Sequence, residues 1–318
     1  MTGWGAVSVA ISTRERADAL ARCLDALLSG TAPPAEVVVV DQSAGDETRA
    51  VVEARSGRGA TVVYVRHAAQ GLSASQNEAV RSASNAVVAV LDDDCVPAAD
   101  WVERIAAAFS RPSLDVLTGP VLPLGADLPE RYAVASRTGK RARTFGRWAA
   151  PWAVGSGNNF ALRRAWYEGV GGCDERLGAG SPGGAANDMD LFYRLLRAGA
   201  RIQYDPALVV FHERKTRAER LGRRFPYGFG MGAACAIWVR EGDPNAGLVF
   251  VRWLGLRSRR AARALVSGRF LGVREEALVL RGTLAGLRYG VGVARAPRRL
   301  AGGGDAGGVA SQGLQTRS

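Results

Sequence analysis

Three consecutive aspartates, Asp92, Asp93 and Asp94, directly follow the apolar run AVVAVL at residues 86–91. Like charges this close repel one another, so such a run needs a compensating cation or several hydrogen-bond donors. A hard divalent ion is the simplest compensator, because Mg²⁺ and Mn²⁺ bind carboxylate oxygens and complete their coordination with substrate phosphates. Alternate residues of a strand share a face, which places Asp92 and Asp94 together and Asp93 opposite. The competing interpretation is a plain turn or helix cap.

Another carboxylate ends a second apolar run. Asp41 is the last residue of EVVVVD, and an acidic side chain there can accept hydrogen bonds from a nucleobase or a ribose. An Asx-turn, in which the side chain only closes the turn that leaves the strand, is the alternative.

The pattern of the first hundred residues predicts the elements that position these side chains. Apolar, β-branched runs at 7–12, 36–41, 61–66 and 86–91 suit strands buried on both faces, and helix-like segments lie between them. This alternation predicts a doubly wound α/β domain with a mostly parallel sheet. Ligands of such sheets bind beyond the carboxyl ends of the strands, where the sequence around Thr13, Asp41 and the aspartate run would converge.

The rest of the chain is predicted in less detail. We expect a helix at 99–109, a strand at 116–121, an irregular excursion at 123–152, a helix at 188–198, and a strand pair around 201–204 and 208–211.

Several longer segments, in this order, resemble the family 2 inverting glycosyltransferases. They are VSVAISTRERADALARCLDALL, VVVVDQSAGDET, QGLSASQNEAVRSA, AVLDDDCVPAADWV, GSGNNFALRRAWYEGVGGCDERLGAG and NDMDLFYRLLRAGARI, and they cover about residues 6–212. The resemblance implies the GT-A fold and transfer of a sugar from a nucleoside-diphosphate sugar, with Mg²⁺ or Mn²⁺ as cofactor.

The resemblance also implies roles on the donor side of the crevice. It implies that the donor nucleotide is contacted by Thr13, Arg16, Asp41 and Ser43. The aspartate run looks like the DxD element of the family, with Asp94 on the metal and with Asp92 and Asp93 on the nucleotide sugar. In related enzymes a histidine at the place of His212 can join the metal or the diphosphate, and a structural histidine is the alternative.

On the acceptor side, the resemblance implies that the segments 155–159 and 171–175 shape the sugar and acceptor site, through Asn158, Asn159 and Asp174. Asp188 occupies the place of the catalytic base, although Asn187 precedes it where the family usually has a glutamate. A carboxylate so placed would deprotonate the acceptor hydroxyl, and a single displacement would invert the anomeric centre. Asp190 is the alternative base, and a helix cap is the structural alternative for Asp188.

Charge separates the chain into a nearly neutral body and a basic C-terminal third. Residues 1–213 hold 22 basic and 24 acidic side chains, whereas residues 214–300 hold 19 and 5. We therefore expect a transferase domain at 1–215, a basic helical extension at 216–300 and a disordered tail at 301–318. The positive charge of the extension predicts contact with an anionic membrane surface. Contact at the surface is expected rather than a spanning helix, because no run reaches the ~18–20 apolar residues that spanning requires. A solvated basic flank is the alternative.

The predicted function is sugar transfer to a saccharide or lipid-linked acceptor in cell-envelope or polysaccharide synthesis. Four scattered cysteines and the lack of a signal-like start favour the cytoplasm, with peripheral attachment to the inner face of the membrane. A nucleotidyltransferase is the nearest alternative, but STRERAD after the first strand lacks the glycines of a triphosphate loop. A nucleic-acid-binding protein is less favoured, because aromatic residues do not interleave the basic ones.

Overall fold

The computed structural model describes residues 6–134 and 137–293, so the tail predicted to be disordered lies outside the described residues. In chain order the elements are β1 (Val7–Thr13), α1 (Ala17–Leu28), β2 (Glu36–Asp41), α2 (Glu47–Glu53), β3 (Thr61–Arg66), α3 (Leu72–Ser82), β4 (Val87–Asp92), β5 (Cys95–Pro97), α4 (Trp101–Phe109), β6 (Val116–Thr118), β7 (Val121–Pro123), β8 (Arg131–Tyr132), β9 (Arg143–Phe145), α5 (Pro151–Val154), β10 (Asn159–Arg163), α6 (Arg164–Gly169), α7 (Asn187–Ala198), β11 (Ile202–Tyr204), β12 (Val210–His212), β13 (Lys215–Thr216), α8 (Arg217–Gly222), α9 (Arg224–Arg240), α10 (Asn245–Val266) and α11 (Phe270–Gly292).

An eight-stranded sheet in the order β3-β2-β1-β4-β10-β6-β11-β9 forms the centre of the protein. Strands β3, β2, β1 and β4 pair in parallel, while β10 pairs antiparallel to both β4 and β6. The α/β fold class and the first four strands are therefore confirmed. Continuous apolar runs form these strands because both faces of the sheet are covered by helices.

Alternation along each strand feeds two cores. Val9 and Ile11 of β1 join a core with α1 and α4, in which Leu20 and Trp101 are fully buried. Ala10 joins the opposite core with α3 and α7. The sheet is thus held rigid from both sides, and its strand ends are fixed in position.

The single strand predicted at 116–121 is wrong, because the chain changes sheets at Gly119. Strand β6 belongs to the large sheet, whereas β7 pairs with β12 in a three-stranded sheet of order β5-β12-β7. A Cβ atom on Gly119 would lie 2.0 Å from the carbonyl oxygen of Leu208, so only glycine fits this close approach. Pro120, which follows, has no N–H to continue the ladder.

The predicted pairing of the strands around 201–204 and 208–211 is also wrong. Strand β11 pairs with β6 and β9, while β12 pairs with β5 and β7. The antiparallel register of β12 with β5 sets His212 opposite Cys95. This small sheet brings the residue after the aspartate run beside the histidine.

The basic extension is helical, as predicted, and it packs on the α/β body. Tyr193 of α7 lies in one core with Trp238 of α9 and Trp253 of α10. The aromatic rings of Tyr193 and Trp238 also stack, with their centroids 3.8 Å apart. Among the described residues, no helix combines the length and the apolar content needed to cross a bilayer.

Glycines allow α9 and α11 to touch backbone to backbone. Cβ atoms on Gly228 and Gly232 of α9 would lie 1.9 and 2.0 Å from carbonyl oxygens of Val279 and Thr283. On α11, a Cβ on Gly286 would lie 1.8 Å from the carbonyl oxygen of Phe229. Neither backbone can yield locally, so this helix pair has one tight packing arrangement.

We therefore expect Gly286→Ala to lower the free energy of unfolding by about 1–3 kcal/mol, the cost of overpacking a close interface. Urea denaturation followed by far-UV circular dichroism measures it. Gly255→Ala on α10 is the matched control, because nothing lies within 4 Å of the added methyl group. The control should stabilise by roughly 0.5–1 kcal/mol through helix propensity. Equal effects of the two substitutions would refute the close-packing account.

Candidate functional site

The carboxyl ends of the parallel strands meet at one edge of the large sheet. The register pairs Thr13 with Asp41 across β1 and β2, and Ser12 with Asp92 across β1 and β4. The structure therefore brings together the strand ends from which the sequence analysis derived the donor site.

The turn after β1 is fixed to the turn after β2. The backbone N–H of Glu15 donates to Ser43 Oγ at 2.7 Å, and the N–H of Ala44 donates to the Glu15 carboxylate at 2.7 Å. Glu15 has a φ of 53°, an uncommon conformation for a residue with a side chain. Such backbone strain persists where surrounding contacts enforce it, and here it aims Arg16 at the aspartate run.

Asp93 is bound to residues at the end of β1. Thr13 donates its hydroxyl to Asp93 Oδ2 at 2.8 Å, and the Arg16 guanidinium lies 3.1 Å from Oδ1. Both oxygens are thus occupied in a side chain that is 4% exposed. Asp93 and Thr13, which the sequence analysis placed on the nucleotide sugar, are bonded to each other.

Asp94 lies with His212 and Cys95 in a buried group whose candidate ligand atoms are all within 4.8 Å of one another. His212 Nε2 is 3.3 Å from Asp94 Oδ1, and its Nδ1 is 2.7 Å from the carbonyl oxygen of Glu213. A carbonyl only accepts, so Nδ1 carries the proton of the neutral ring and Nε2 turns a lone pair toward the carboxylate. Burial lowers the pKa of His212 to about 4, so the neutral form is the one present near pH 7.

Lys215 is the functional residue that the sequence analysis missed. Its ammonium lies 2.9 Å from Asp94 Oδ2, and the side chain is 8% exposed. The position is created by β13, whose Lys215 pairs with Tyr132 of β8 in the 123–152 excursion. The one available signal was a lysine three residues after a strand-ending histidine, HERK, which is weak without the fold.

The three carboxylates are not fully compensated by these cations. Burial, followed by repulsion from Asp94 and Asp93, raises the pKa of Asp92 well above its ordinary value. Burial also raises the pKa of Asp93, against the pull of Arg16. Burial acts in the same sense on Asp94, but the His212 ring, which is protonated in the acidic range where Asp94 titrates, and then Lys215 hold its pKa below the ordinary value. The site therefore favours additional positive charge near Asp92.

Asp41 is fully buried and accepts three hydrogen bonds. The donors are the Tyr64 hydroxyl at 2.8 Å, Arg66 at 3.0 Å and the backbone N–H of Ser43 at 2.8 Å. The Asx-turn alternative is therefore realised in part, since the contact to Ser43 spans two residues. Arg66 also bonds carbonyl oxygens of the following turn, which fixes the wall above Asp41.

An open cavity of about 400 Å³ lies against this wall. Arg14, Gln42, Ser43, Arg66 and His67 contribute to its lining, and Asp41 lies beneath it. Asp41 thus orients Arg66 and Ser43, which face the space directly.

Asp188 and Asp190 of α7 differ sharply in their surroundings. Asp188 accepts from the backbone N–H groups of Gly157 at 3.1 Å and Met189 at 2.8 Å, and burial raises its pKa. Asp190 is fully buried, with one oxygen bonded to Trp238 at 2.7 Å and the other paired with Arg194. The geometry favours Asp188 over Asp190 as the base, because Asp190 is already engaged inside the protein.

The three residues expected on the acceptor side have different environments. Asn159 is fully buried, accepts from Trp101 at 2.9 Å and donates to carbonyl oxygens of Pro120 and Leu208. Its contacts are those of a core residue that ties β10 to the small sheet. Asp174 forms a salt bridge to Arg176 at 2.6 Å, which also binds Glu241 at 2.8 Å.

Asn158 keeps a free acceptor. Its Nδ2 contacts Cys95 Sγ at 3.6 Å, whereas its Oδ1 is buried without a hydrogen-bond partner among the described residues. A buried carbonyl oxygen without a donor is costly, so this atom calls for a ligand or a water. Asn158 is thus the asparagine of the pair that can serve a substrate.

Helix α9 of the basic extension begins beside this site. A Cβ atom on Gly184, just before α7, would lie 3.1 Å from the Pro226 carbonyl oxygen. On α9 itself, a Cβ atom on Gly230 would lie 2.7 Å from the carbonyl oxygen of Ala185, which also lies just before α7. The sequence analysis treated the extension as separate and therefore missed that α9 packs against the start of α7, the helix that carries Asp188.

Comparison with known proteins identifies the family. Residues 8–171 match the model of glycosyl transferase family 2, which is more than half of the chain, and the chain belongs to this family. The fold agrees with solved GT-A structures. A mannosyltransferase, PcManGT from Pyrobaculum calidifontis in complex with GDP-Man and Mn²⁺, aligns with a TM-score of 0.61 over 90% of this chain and 88% of that one, at 19% identity.

Two curated relatives are similar in sequence. The pre-mycofactocin glycosyltransferase of Mycobacterium tuberculosis is 28% identical over 256 residues, which are 76% of this chain and 50% of that protein. The chain thus spans about half the length of that relative. Glycosyltransferase AglE of Haloferax volcanii is 27% identical over 241 residues, covering 74% of this chain and 75% of AglE. The family favours sugar transfer over both alternatives considered from sequence.

We expect Asp190→Ala to lower the free energy of unfolding by about 3–5 kcal/mol, because the buried Arg194 would lose its carboxylate. Chemical denaturation monitored by tryptophan fluorescence measures the change. Asp188→Asn on the same helix is the control and should change stability by no more than about 1 kcal/mol. If Asp190→Ala were as stable as the control, the structural role of Asp190 would be refuted.

Proposed function

We propose that this protein is an inverting glycosyltransferase that uses a nucleoside-diphosphate sugar and a divalent cation, Mg²⁺ or Mn²⁺. Family membership supports the reaction class. The single observation that carries the proposal is the buried pair of Asp94 and His212 at the edge that also presents Asp188. A cation ligand set and a carboxylate base at one crevice are the two requirements of a single displacement.

The residues present fit a divalent cation. Asp94 Oδ1 and His212 Nε2 face each other at 3.3 Å, and with Nδ1 holding the ring proton neither atom can donate to the other. Two lone pairs in a buried contact repel unless a cation lies between them. Carboxylate oxygen suits both Mg²⁺ and Mn²⁺, and the imidazole nitrogen suits the softer Mn²⁺ better than Mg²⁺, whereas burial raises the pKa of the Cys95 thiol and keeps it protonated. A cation bound there would act as a Lewis acid that neutralises the leaving diphosphate.

The protein groups around this pair account for donor binding. Arg16 and Lys215 supply positive charge where the diphosphate would lie, and the 400 Å³ cavity by Ser43 and Arg66 is the place for the nucleoside. Asp92 has no hydrogen-bonded donor among the described side chains and is the carboxylate left for a ribose or for the cation. Asn158 Oδ1 can accept from a sugar hydroxyl.

The surroundings of Asp188 support its role as the general base. Burial raises its pKa, which makes the carboxylate a better proton acceptor, and two backbone N–H groups fix its orientation. The acceptor hydroxyl would pass its proton to Asp188 as its oxygen attacks the anomeric carbon opposite the leaving diphosphate. One displacement inverts the anomeric configuration.

The donor and cation are tested by a thermal-shift screen of UDP, GDP, dTDP and CDP, each with and without Mn²⁺. One nucleotide should raise the melting temperature only when Mn²⁺ is present, because Asp94 and His212 would hold the cation that neutralises the diphosphate. Asp94→Ala should abolish that shift. Survival of metal-dependent nucleotide binding in Asp94→Ala would contradict the assignment of Asp94.

The base is tested by Asp188→Asn, which keeps the shape of the side chain and removes the proton acceptor. We expect kcat to fall by about 10²–10⁴-fold, the usual contribution of a general base. Nucleotide affinity in the presence of Mn²⁺, measured by calorimetry, should stay within twofold of the parent and serves as the internal control. A kcat within threefold of the parent would exclude Asp188 as the base.

We further propose that the helical extension attaches the enzyme to an anionic membrane surface on the cytoplasmic side, where a lipid-linked acceptor would be met. A glucosyl-dolichyl phosphate glucuronosyltransferase of Haloferax volcanii is 25% identical over 215 residues, covering 65% of this chain and 69% of that protein, and its name includes a lipid-linked sugar. The turn between α10 and α11 exposes Leu265 (61%), Val266 (89%) and Phe270 (75%). Arg263 and Arg269 are exposed beside them, and the two acidic residues of these helices, Glu275 and Glu276, pair with arginines. Apolar side chains ringed by arginine suit insertion between anionic headgroups.

This attachment predicts a loss of vesicle binding for Val266→Ser combined with Phe270→Ser. Sedimentation with vesicles containing phosphatidylglycerol should show partitioning weakened roughly tenfold or more, because two apolar side chains lose their burial in the bilayer. Val251→Ser, which changes another exposed apolar residue (64%) in the first half of α10, should bind like the parent. Unchanged binding of the double variant would overturn the attachment. Point variants are required because α9–α11 share a core with α7, so deleting them would expose it.

A further inference from the structure

Lys215 and the candidate metal site share the carboxylate of Asp94, each at a different oxygen. Its ammonium lies 2.9 Å from Oδ2, and Arg16 lies 3.4 Å from the same oxygen. His212 Nε2 faces the other oxygen, Oδ1, at 3.3 Å. One carboxylate therefore serves a protein cation with one oxygen and offers the other to a metal ion.

The lysine is fixed in this position. Its side chain is 8% exposed, and in the described part of the chain its one ion pair is with Asp94. Buried lysines are rare unless a carboxylate compensates them, so Lys215 depends on Asp94 as much as Asp94 depends on Lys215. The pairing of β13 with β8 holds its backbone beside the crevice.

We propose that Lys215 couples metal binding to nucleotide binding, an inference that rests on the proposed function. Without a nucleotide, a divalent ion must bind Asp94 against the charge of Lys215, and its affinity is low. A nucleoside diphosphate brings negative charge that Lys215 and Arg16 can bind, which releases Asp94 to the metal. The cation and the nucleotide then bind tightly only together, and Lys215 is a positioning residue for both.

The sign of the effect separates this role from two simpler ones. Repulsion between a divalent ion and an ammonium a few ångströms apart in a partly buried site should weaken metal affinity by roughly tenfold or more. Removing the ammonium should therefore strengthen the binding of metal alone. If Lys215 were only structural, or only a clamp for the diphosphate, its removal would leave the affinity for metal alone unchanged or lower.

The test is calorimetry of MnCl₂ binding to the full chain, first without nucleotide and then with saturating GDP or UDP. Lys215→Met should bind Mn²⁺ alone at least roughly tenfold more tightly than the parent, and the strengthening of Mn²⁺ binding by nucleotide should shrink by a similar factor. Lys215→Arg should behave like the parent, because the charge is kept. Arg217→Met is the matched control, since it removes an exposed cation two residues away and should change neither value.

Thermal unfolding provides a second measurement that remains informative if Lys215→Met is less stable than the parent. In EDTA its melting temperature should fall below that of the parent, and Mn²⁺ alone should raise it more than it raises the parent. An unchanged or weaker affinity of Lys215→Met for Mn²⁺ alone, together with no larger thermal shift, would overturn the coupling role.

Asp94→Ala distinguishes the two levels of the account. If Asp94→Ala binds Mn²⁺ as the parent does, the metal assignment and the coupling both fail. If Asp94→Ala abolishes binding while Lys215→Met leaves the affinity for metal alone unchanged, the coupling alone fails and the proposed function stands.

Discussion

The repulsion among three adjacent carboxylates is the constraint on which the rest of this structure depends. Asp92, Asp93 and Asp94 lie at the edge of a rigid sheet and largely out of water, so each must be compensated within a few ångströms. Arg16 compensates Asp93, and Lys215 compensates one oxygen of Asp94, whereas the neutral His212 ring faces the other oxygen without compensating it. The raised pKa of Asp92, caused by burial and by its neighbours, marks the charge that remains to be balanced.

The parallel part of the fold could be predicted from sequence because β1, β2 and β4 are buried along nearly their whole length. The boundaries of β2 and β3 match the apolar runs at 36–41 and 61–66, although β2 is buried along its whole length and β3, at the edge of the sheet, is only half-buried. The prediction of one strand at 116–121 failed because Gly119 lets the chain approach Leu208 and cross into another sheet. Glycine marks a close approach in the sequence, but the approaching partner is distant along the chain.

The candidate site was predictable only where a motif carried it. Asp94, His212 and Asp188 were reached through an aspartate run, a strand-ending histidine and a family pattern. Lys215 and the role of Asn159 depend on strand pairs such as β8 with β13 and β5 with β12, which set residues far apart in sequence side by side. The core that α7 shares with α9 and α10 likewise explains why the basic extension packs on the α/β body, and it too joins residues far apart in sequence.

The most direct test of the central claim is pulsed electron paramagnetic resonance of Mn²⁺ bound to the protein with a nucleoside diphosphate. The account predicts coupling to one imidazole nitrogen, lost in His212→Phe, and coupling to phosphorus of the diphosphate, lost together with the ion in Asp94→Ala. A bound Mn²⁺ that couples to phosphorus but to no protein nitrogen, and that persists without Asp94, would contradict it.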